Sequence, residues 1–217
     1  GVSWAGRAAR GWYSLASGLV HWAMVNTELD CANNSEQFKW LQKDLSGVNR
    51  TATPWIVVMG HRPIWDAQHW RPETRDENVG ALEPLLHEWK VDLALYGHYH
   101  YAELTCPLLA SGRCASFEND GDSDADGWAA PTHAVIGNGG QGFTPFPPKP
   151  PPFDVYESAR EWGFASLEAP PPGRELVLRF WGDAAEGQDP PLRFTHVLQR
   201  AYPRTAAPQT SHQKATT

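Results

Sequence analysis

Three histidines stand where their side chains could share one ligand. The run "WIVVMGH" ends at His61 and the run "DLALYGH" ends at His98, which is followed one residue later by His100. A neutral imidazole offers a lone pair at physiological pH, which makes histidine the commonest transition-metal ligand. Two imidazoles one residue apart in a turn reach different atoms of a compact site, as two ions about 3.5–4 Å apart would require. In open α/β sheets ligands bind beyond the carboxyl ends of the strands, so two strands that both finish in Gly-His aim their imidazoles into one crevice. Gly60 and Gly97, without a Cβ, let the backbone turn off the strand and approach a neighbour closely. A single histidine beside an apolar strand is more often a hydrogen-bonded structural residue, so the repetition at His61, His98 and His100 is what selects the ligand reading. His21, His87, His133 and His196 fall inside predicted strands or a helix and are assigned to packing or the surface, and His212 falls in the tail.

Positioning such a cluster takes strands that alternate with helices. An alternating, Val- and Trp-containing stretch from about Leu19 to Val25 predicts a strand. In "SEQFKWLQKDLSG", Phe38, Leu41 and Leu45 fall at helical spacing, with Ser35 as N-cap and Gly47 as stop. "TPWIVVMGH" is a continuous apolar run of strand length, a loop follows through "RPIWDAQHWRPETRD", and "ENVGALEPLLHEWK" predicts a helix with Pro84 near a first turn or a kink. "VDLALYGH" then repeats the strand pattern, and the alternation predicts an α/β fold. Downstream, "PTHAVIGNGG" is a strand running into a glycine turn, and "TPFPPKPPPF" can be neither helix nor central strand. "FASLEA", "ELVLRFWG" and "RFTHVLQR" are successive strands that predict an antiparallel, β-rich region over residues 131–200, and residues 201–217 predict a disordered tail.

Composition narrows the partners. The chain has 217 residues, 41% of them hydrophobic, enough for a sizeable core in one domain or in part of a larger one. A formal net charge of -7 argues against a polyanion-binding surface, so nucleic acid is not expected as a partner. No apolar run reaches the roughly 18 residues of a spanning helix, and no membrane partner is expected. The opening residues lack the basic, apolar and small-residue succession of a signal peptide, so any export signal would lie upstream. Cys106 and Cys114 bracket "PLLASGR", which could close as a small disulfide loop, leaving Cys31 unpaired or paired outside the chain. Sequons at Asn33 and Asn49 add to the cysteines in pointing to an oxidising compartment, secreted or vacuolar/lysosomal.

These residues resemble a known family. "VVMGHRPIW" is similar to the Val-x-x-His motif and "GHYH" to the Gly-His-x-His motif of the calcineurin-like metallophosphoesterases. "YSLASGLVHWAMVNTELD", "SEQFKWLQKDL", "AVIGNGG" and "WGFASLEA" follow the order of the purple acid phosphatases over roughly residues 12–200. The resemblance implies mixed β sheets flanked by helices and hydrolysis of phosphate monoesters at a dinuclear centre of iron with zinc, manganese or a second iron. It implies that His61 and His98 bind the divalent ion and His100 the ferric ion. His69, in the loop after His61, is similar to a histidine that contacts the phosphate or protonates the leaving group.

The departures from the family pattern shape the expectation for this chain. The Asp-x-Gly, Gly-Asp-x-x-Tyr and Gly-Asn-His-Asp/Glu motifs that the resemblance calls for upstream of Leu19 are absent, so the chain is expected to hold the carboxyl-terminal part of the fold without its amino-terminal strands. It would then carry only the histidine half of the site, with little activity by itself. Where the family continues with Tyr-Glu-Arg, this chain has Ala102, Glu103 and Leu104. Alternative readings are a non-catalytic remnant or interaction module, and a phosphodiesterase or nucleotide pyrophosphatase on the same fold. Small phosphorylated substrates are the expected partners, with a homodimer, served by Cys31, also possible.

Overall fold

The run "WIVVM" is apolar at every position because both of its faces are covered. It forms β4 (Trp55–Met59), where Ile56 and Val58 face one core while Trp55 and Val57 face another. The computed structural model describes residues 3–5, 11–71, 74–116, 123–124, 127–158 and 160–199. The tail predicted over 201–217 lies outside them. In chain order the strands are β1 (Ser3–Ala5), β2 (Tyr13–Ser17), β3 (Val20–Met24), β4, β5 (Leu93–Tyr96), β6 (Ala102–Thr105), β7 (Thr132–Ile136), β8 (Asp154–Ser158), β9 (Gly163–Glu168), β10 (Glu175–Gly182) and β11 (Leu192–Gln199). The helices are α1 (Glu36–Ser46), α2 (Glu77–Gly80) and α3 (Glu83–Glu88).

Eight strands form one mixed sheet in the order β1-β2-β3-β4-β5-β7-β6-β8, and β11-β10-β9 form a second. β3, β4, β5 and β7 are parallel neighbours, which puts the ends of β4 and β5 at the same rim. Helices cover one face of the large sheet, with Leu41, Leu45, Leu82 and Leu85 packed over Ile56, Val58 and Ala94. The small sheet covers the other face, with Leu176, Leu178 and Phe180 against Val57, Leu93 and Leu104. The result is the predicted α/β sandwich of mixed sheets flanked by helices.

Local chemistry accounts for the elements. Ser35 caps α1 by accepting a hydrogen bond from Phe38 N at 3.0 Å, and the helix stops at Gly47 as its sequence predicts. The single helix predicted over "ENVGALEPLLHEWK" is two, because Pro84 has no N–H to donate to the carbonyl of Gly80, and the chain restarts with proline in the first turn of α3.

Three further readings change. The stretch before Leu19 is itself a strand, β2, in an antiparallel hairpin with β3. Residues after His100 form β6, a strand that the sequence pattern does not announce. The region over 131–200 is not uniformly antiparallel, since β7 runs parallel to β5 and β8 extends the large sheet, leaving only β9, β10 and β11 in a separate antiparallel sheet. Cys106 and Cys114 form the anticipated disulfide, while Cys31 is fully buried and its thiol is pushed up to about 11 by burial. In this fold Cys31 is thus out of reach of a second chain's thiol, which removes it as the link in a homodimer.

Candidate metal and phosphate site

β4 and β5 end side by side, and their backbones continue to interlock past the last strand residue. Gly60 N donates to Leu95 O and Gly97 N donates to His61 O, each at 3.0 Å. Thr27 Oγ1 accepts from His61 N at 3.1 Å and Arg62 N at 2.7 Å, fixing the direction in which both side chains leave the strand. Gly60 is required here, because a Cβ would lie 2.7 Å from Thr27 Cγ2 and 3.2 Å from Val25 Cγ2. Gly97 is not required in the same way, since a Cβ there would meet His61 Nδ1 at an ordinary 3.5 Å. The unexpected close approach is at Gly137, where a Cβ would sit 2.0 Å from Tyr99 O.

The structure brings His61 and His98 together. His98 Nδ1 lies 3.3 Å from His61 Nε2, with the rings edge to face. His98 holds its place with φ +66°, a left-handed conformation that few non-glycine residues adopt. Burial, then the positive charge of Arg62, lowers its pKa from the usual imidazole range, which favours the neutral ring. Arg62 Nη1 lies 3.4 Å from His98 Nε2 and the guanidinium forms a two-point ion pair with Glu28, at 2.8 and 3.2 Å.

His100 points elsewhere. Its Nδ1 donates to Gly142 O at 2.6 Å, which assigns the ring proton to Nδ1 and leaves Nε2 as the lone-pair nitrogen. His69 Nδ1 lies 2.6 Å from Tyr99 Oη and 3.5 Å from Asp66 Oδ1. Burial and the Asp66 charge push the Tyr99 phenol up to about 12, so it stays protonated. A cleft of about 160 Å³ is lined by Arg62, His69, His98 and Tyr99. A wider cleft of about 730 Å³ between the sheets opens beside His61, past Trp22, Met59 and Phe164. Another cavity, of about 380 Å³, lies at the opposite ends of the strands by Trp55 and Thr132, away from this cluster.

Two nitrogens that share a tetrahedral ion through bonds of about 2.1 Å lie about 3.4 Å apart, and the His61–His98 separation of 3.3 Å fits that. Among the described residues no group of three or more His, Cys, Asp or Glu side chains is arranged to hold a cation. His61 and His98 therefore fit two positions of a site that the described residues do not complete.

Of the residues picked out by sequence, His61, His98 and His69 line adjoining clefts and His100 is turned towards Gly142. The remaining histidines have structural surroundings: His21 pairs with Asp44 at 2.7 Å, His87 packs on Trp128, His133 is fully buried and His196 is half-buried. Arg62 and Tyr99 were not anticipated, although each is the immediate neighbour of a predicted ligand.

Strand-end imidazoles and a guanidinium thus stand together at the rim of a two-sheet α/β sandwich. Residues 5–102 match the calcineurin-like phosphoesterase family. Over 166 residues the chain is 31% identical to probable inactive purple acid phosphatase 24 of Arabidopsis thaliana, covering 74% of this chain and 26% of that protein. Purple acid phosphatase 18 of the same plant is 35% identical over 129 residues, 59% of this chain and 26% of its own. The solved structure of purple acid phosphatase PPD1 from yellow lupin seeds, 26% identical, superposes with a TM-score of 0.76 over 91% of this chain and 34% of that one. The chain thus carries a calcineurin-like phosphoesterase match over residues 5–102, has purple acid phosphatases as its relatives and corresponds to their carboxyl-terminal portion. It spans about a quarter of the length of those curated relatives.

Proposed function

We propose that the protein to which this chain contributes is a metal-dependent acid phosphatase acting on small phosphate monoesters, and that the chain supplies the histidine half of its dinuclear centre. The observation that carries this reading is the convergence of His61, His98, Arg62 and His69 on adjoining clefts at one rim of the sheet. His61 and His98 would hold the divalent ion, zinc, manganese or iron, and His100, with Nε2 as its lone-pair nitrogen, the ferric ion. Such ions, when bound, activate water and neutralise charge on the phosphoryl oxygens. Arg62 presents donors to the phosphoryl group in a planar fork. His69 gives a proton to the departing ester oxygen, with Tyr99 setting the orientation of its ring.

The test compares the 217-residue chain with a version extended upstream, measuring metal content by elemental analysis and turnover of a phosphate monoester at mildly acid pH. About two ions and turnover in the extended protein, with neither in the short chain, are the expected results. Absence of metal from both would leave the second reading, a non-catalytic module. That reading draws support from relatives described as probably inactive and from Ala102 and Leu104 in place of an aromatic and a guanidinium.

The same proposal places the protein in a secreted or vacuolar/lysosomal setting, supported by the Cys106–Cys114 disulfide and by the exposure of Asn33 and Asn49. A mobility shift on endoglycosidase treatment of protein expressed in a eukaryotic host is the corresponding check.

A further inference from the structure

The turn after β3 grips Arg62 at both ends. Thr27 Oγ1 accepts from Arg62 N at 2.7 Å, and the next residue, Glu28, accepts from the guanidinium at two points, Nε to Oε1 at 2.8 Å and Nη2 to Oε2 at 3.2 Å. A carboxylate joined to a guanidinium by two parallel bonds fixes the plane of the fork as well as its position. The bonds use the Nε side of a group that carries five N–H donors. Nη1 and one N–H of Nη2 stay outside the ion pair, and Nη1 stands at the cleft, 3.4 Å from His98 Nε2. That cleft, lined also by His69 and Tyr99, measures about 160 Å³, against roughly 300–1,000 Å³ for a site that encloses a drug-sized ligand. Its size suits one phosphoryl group. Asp66 and Asp76 line it too, but Asp66 Oδ1 accepts from Gln68 N and His69 N, and Asp76 Oδ1 from Asn78 N and Val79 N.

We propose that Glu28 is a positioning residue, holding the Arg62 fork towards the cleft so that Arg62 and His69 together bind the oxygens of one phosphoryl group. Without the pair, the long arginine stem would give up its rotamer freedom each time an anion bound. With the backbone held by Thr27 and the head by Glu28, that ordering is complete before the anion arrives. The ion pair is exposed, with 39% of the Arg62 side chain and 48% of the Glu28 side chain open to solvent, and exposed pairs add little to folding stability. Removing Glu28 therefore separates positioning from folding. The sign of the effect also sets positioning apart from charge. By charge alone, removing a carboxylate beside an anion site strengthens anion binding, whereas losing the hold on Arg62 weakens it. That the phosphoryl group belongs to a substrate rests on the phosphatase reading, whereas the fork and its hold on the anion do not.

The experiment uses the 217-residue chain with chelator present throughout and inorganic phosphate as the probe. The His69 ring signals, and the Arg62 Nε–H signal where arginine is present, are followed by NMR as phosphate is added at constant ionic strength to the parent, Glu28→Gln and Arg62→Lys. Saturable shifts at both residues are expected in the parent. Glu28→Gln is expected to weaken phosphate binding by at least about threefold although it removes a negative charge, and Arg62→Lys by at least about tenfold, because an ammonium has no planar fork. Both variants are expected to keep the parent's urea midpoint. Phosphate binding in Glu28→Gln that equals or exceeds the parent's would overturn the positioning role. Parent signals that ignore phosphate, or that respond to chloride in the same way, would overturn the anion site. Neither readout needs metal or turnover. A chain indifferent to phosphate, beside an extended protein that holds two ions and turns over substrate, would therefore sink this inference and leave the phosphatase reading standing.

Discussion

At His98 the backbone conformation and the side chain's use conflict. A non-glycine residue at φ +66° carries a cost of about 1–2 kcal/mol from the contact between Cβ and the carbonyl oxygen, and strain of this kind persists where a side chain is held for a purpose. The prediction is that His98→Gly is more stable than His98→Ala by about 1 kcal/mol in urea unfolding, because glycine accepts this φ and alanine does not. Equal stability would mean that the turn relaxes when the imidazole is removed. The histidine pattern was legible in the sequence because two apolar runs ended alike. Arg62 was not, because its placement depends on Glu28 and Thr27, more than thirty residues away in sequence. The direction of the His100 ring was equally hidden, since the Gly142 carbonyl that turns it arrives only with the fold.

Elements were legible where one period dominated. α1 announced itself through its cap and spacing, and β4 and β5 through uninterrupted apolar runs covered on both faces. β6 and β8 did not, because β6 has only four residues and closely follows the His98–His100 turn, and β8 presents Val155 and Glu157 to solvent beside a proline-rich segment. What joins the elements was also hidden inside a sequon. Arg50, between Asn49 and Thr51, sends Nη1 to Asp92 Oδ2 at 2.9 Å and Pro54 O at 3.0 Å, and Nη2 to Trp89 O at 2.8 Å and Lys90 O at 2.6 Å. Asp92 Oδ2 also accepts from Ile56 N at 2.8 Å, so one ion pair ties the end of α3 to the starts of β4 and β5. Arg50→Ala removes the guanidinium from a buried carboxylate and is expected to cost about 3–5 kcal/mol. Arg50→Lys is expected to recover only part of this, because an ammonium cannot reach all four acceptors in the guanidinium's plane. Full recovery by lysine would reduce the role of Arg50 to its charge.

Across the whole molecule, buried titratable groups of opposite habit set a stability profile in which acid and base limbs oppose each other. His133 is fully buried on β7, with Nδ1 3.3 Å from Tyr96 Oη and Nε2 without a partner, and burial brings it down to about 3. Its contribution is therefore present above about pH 6.5 and lost as pH falls towards 3, with a slope approaching 1.4 kcal/mol per pH unit. His196, lowered by burial, adds in the same direction. Glu83, whose burial is outweighed by His87, Arg75 and Trp65 so that it falls to about 2, adds an acid limb only below about pH 4.5. Glu103 and Asp154 work the other way, because burial holds Glu103 well above the usual carboxylate range and pushes Asp154 up to about 7, so their contribution is lost between about pH 4 and 7 as pH rises. The opposing slopes cancel over roughly pH 4–6.5, so thermal unfolding across pH 3–9 should show a plateau there with falls on both sides. Replacing His133 by Gln tests the balance, because the pair's slope is then unopposed and Tm should climb as pH falls from 6.5 towards 4. Glu103→Gln should instead move the maximum towards neutrality. If both variants keep the parent's plateau, neither buried group sets the profile.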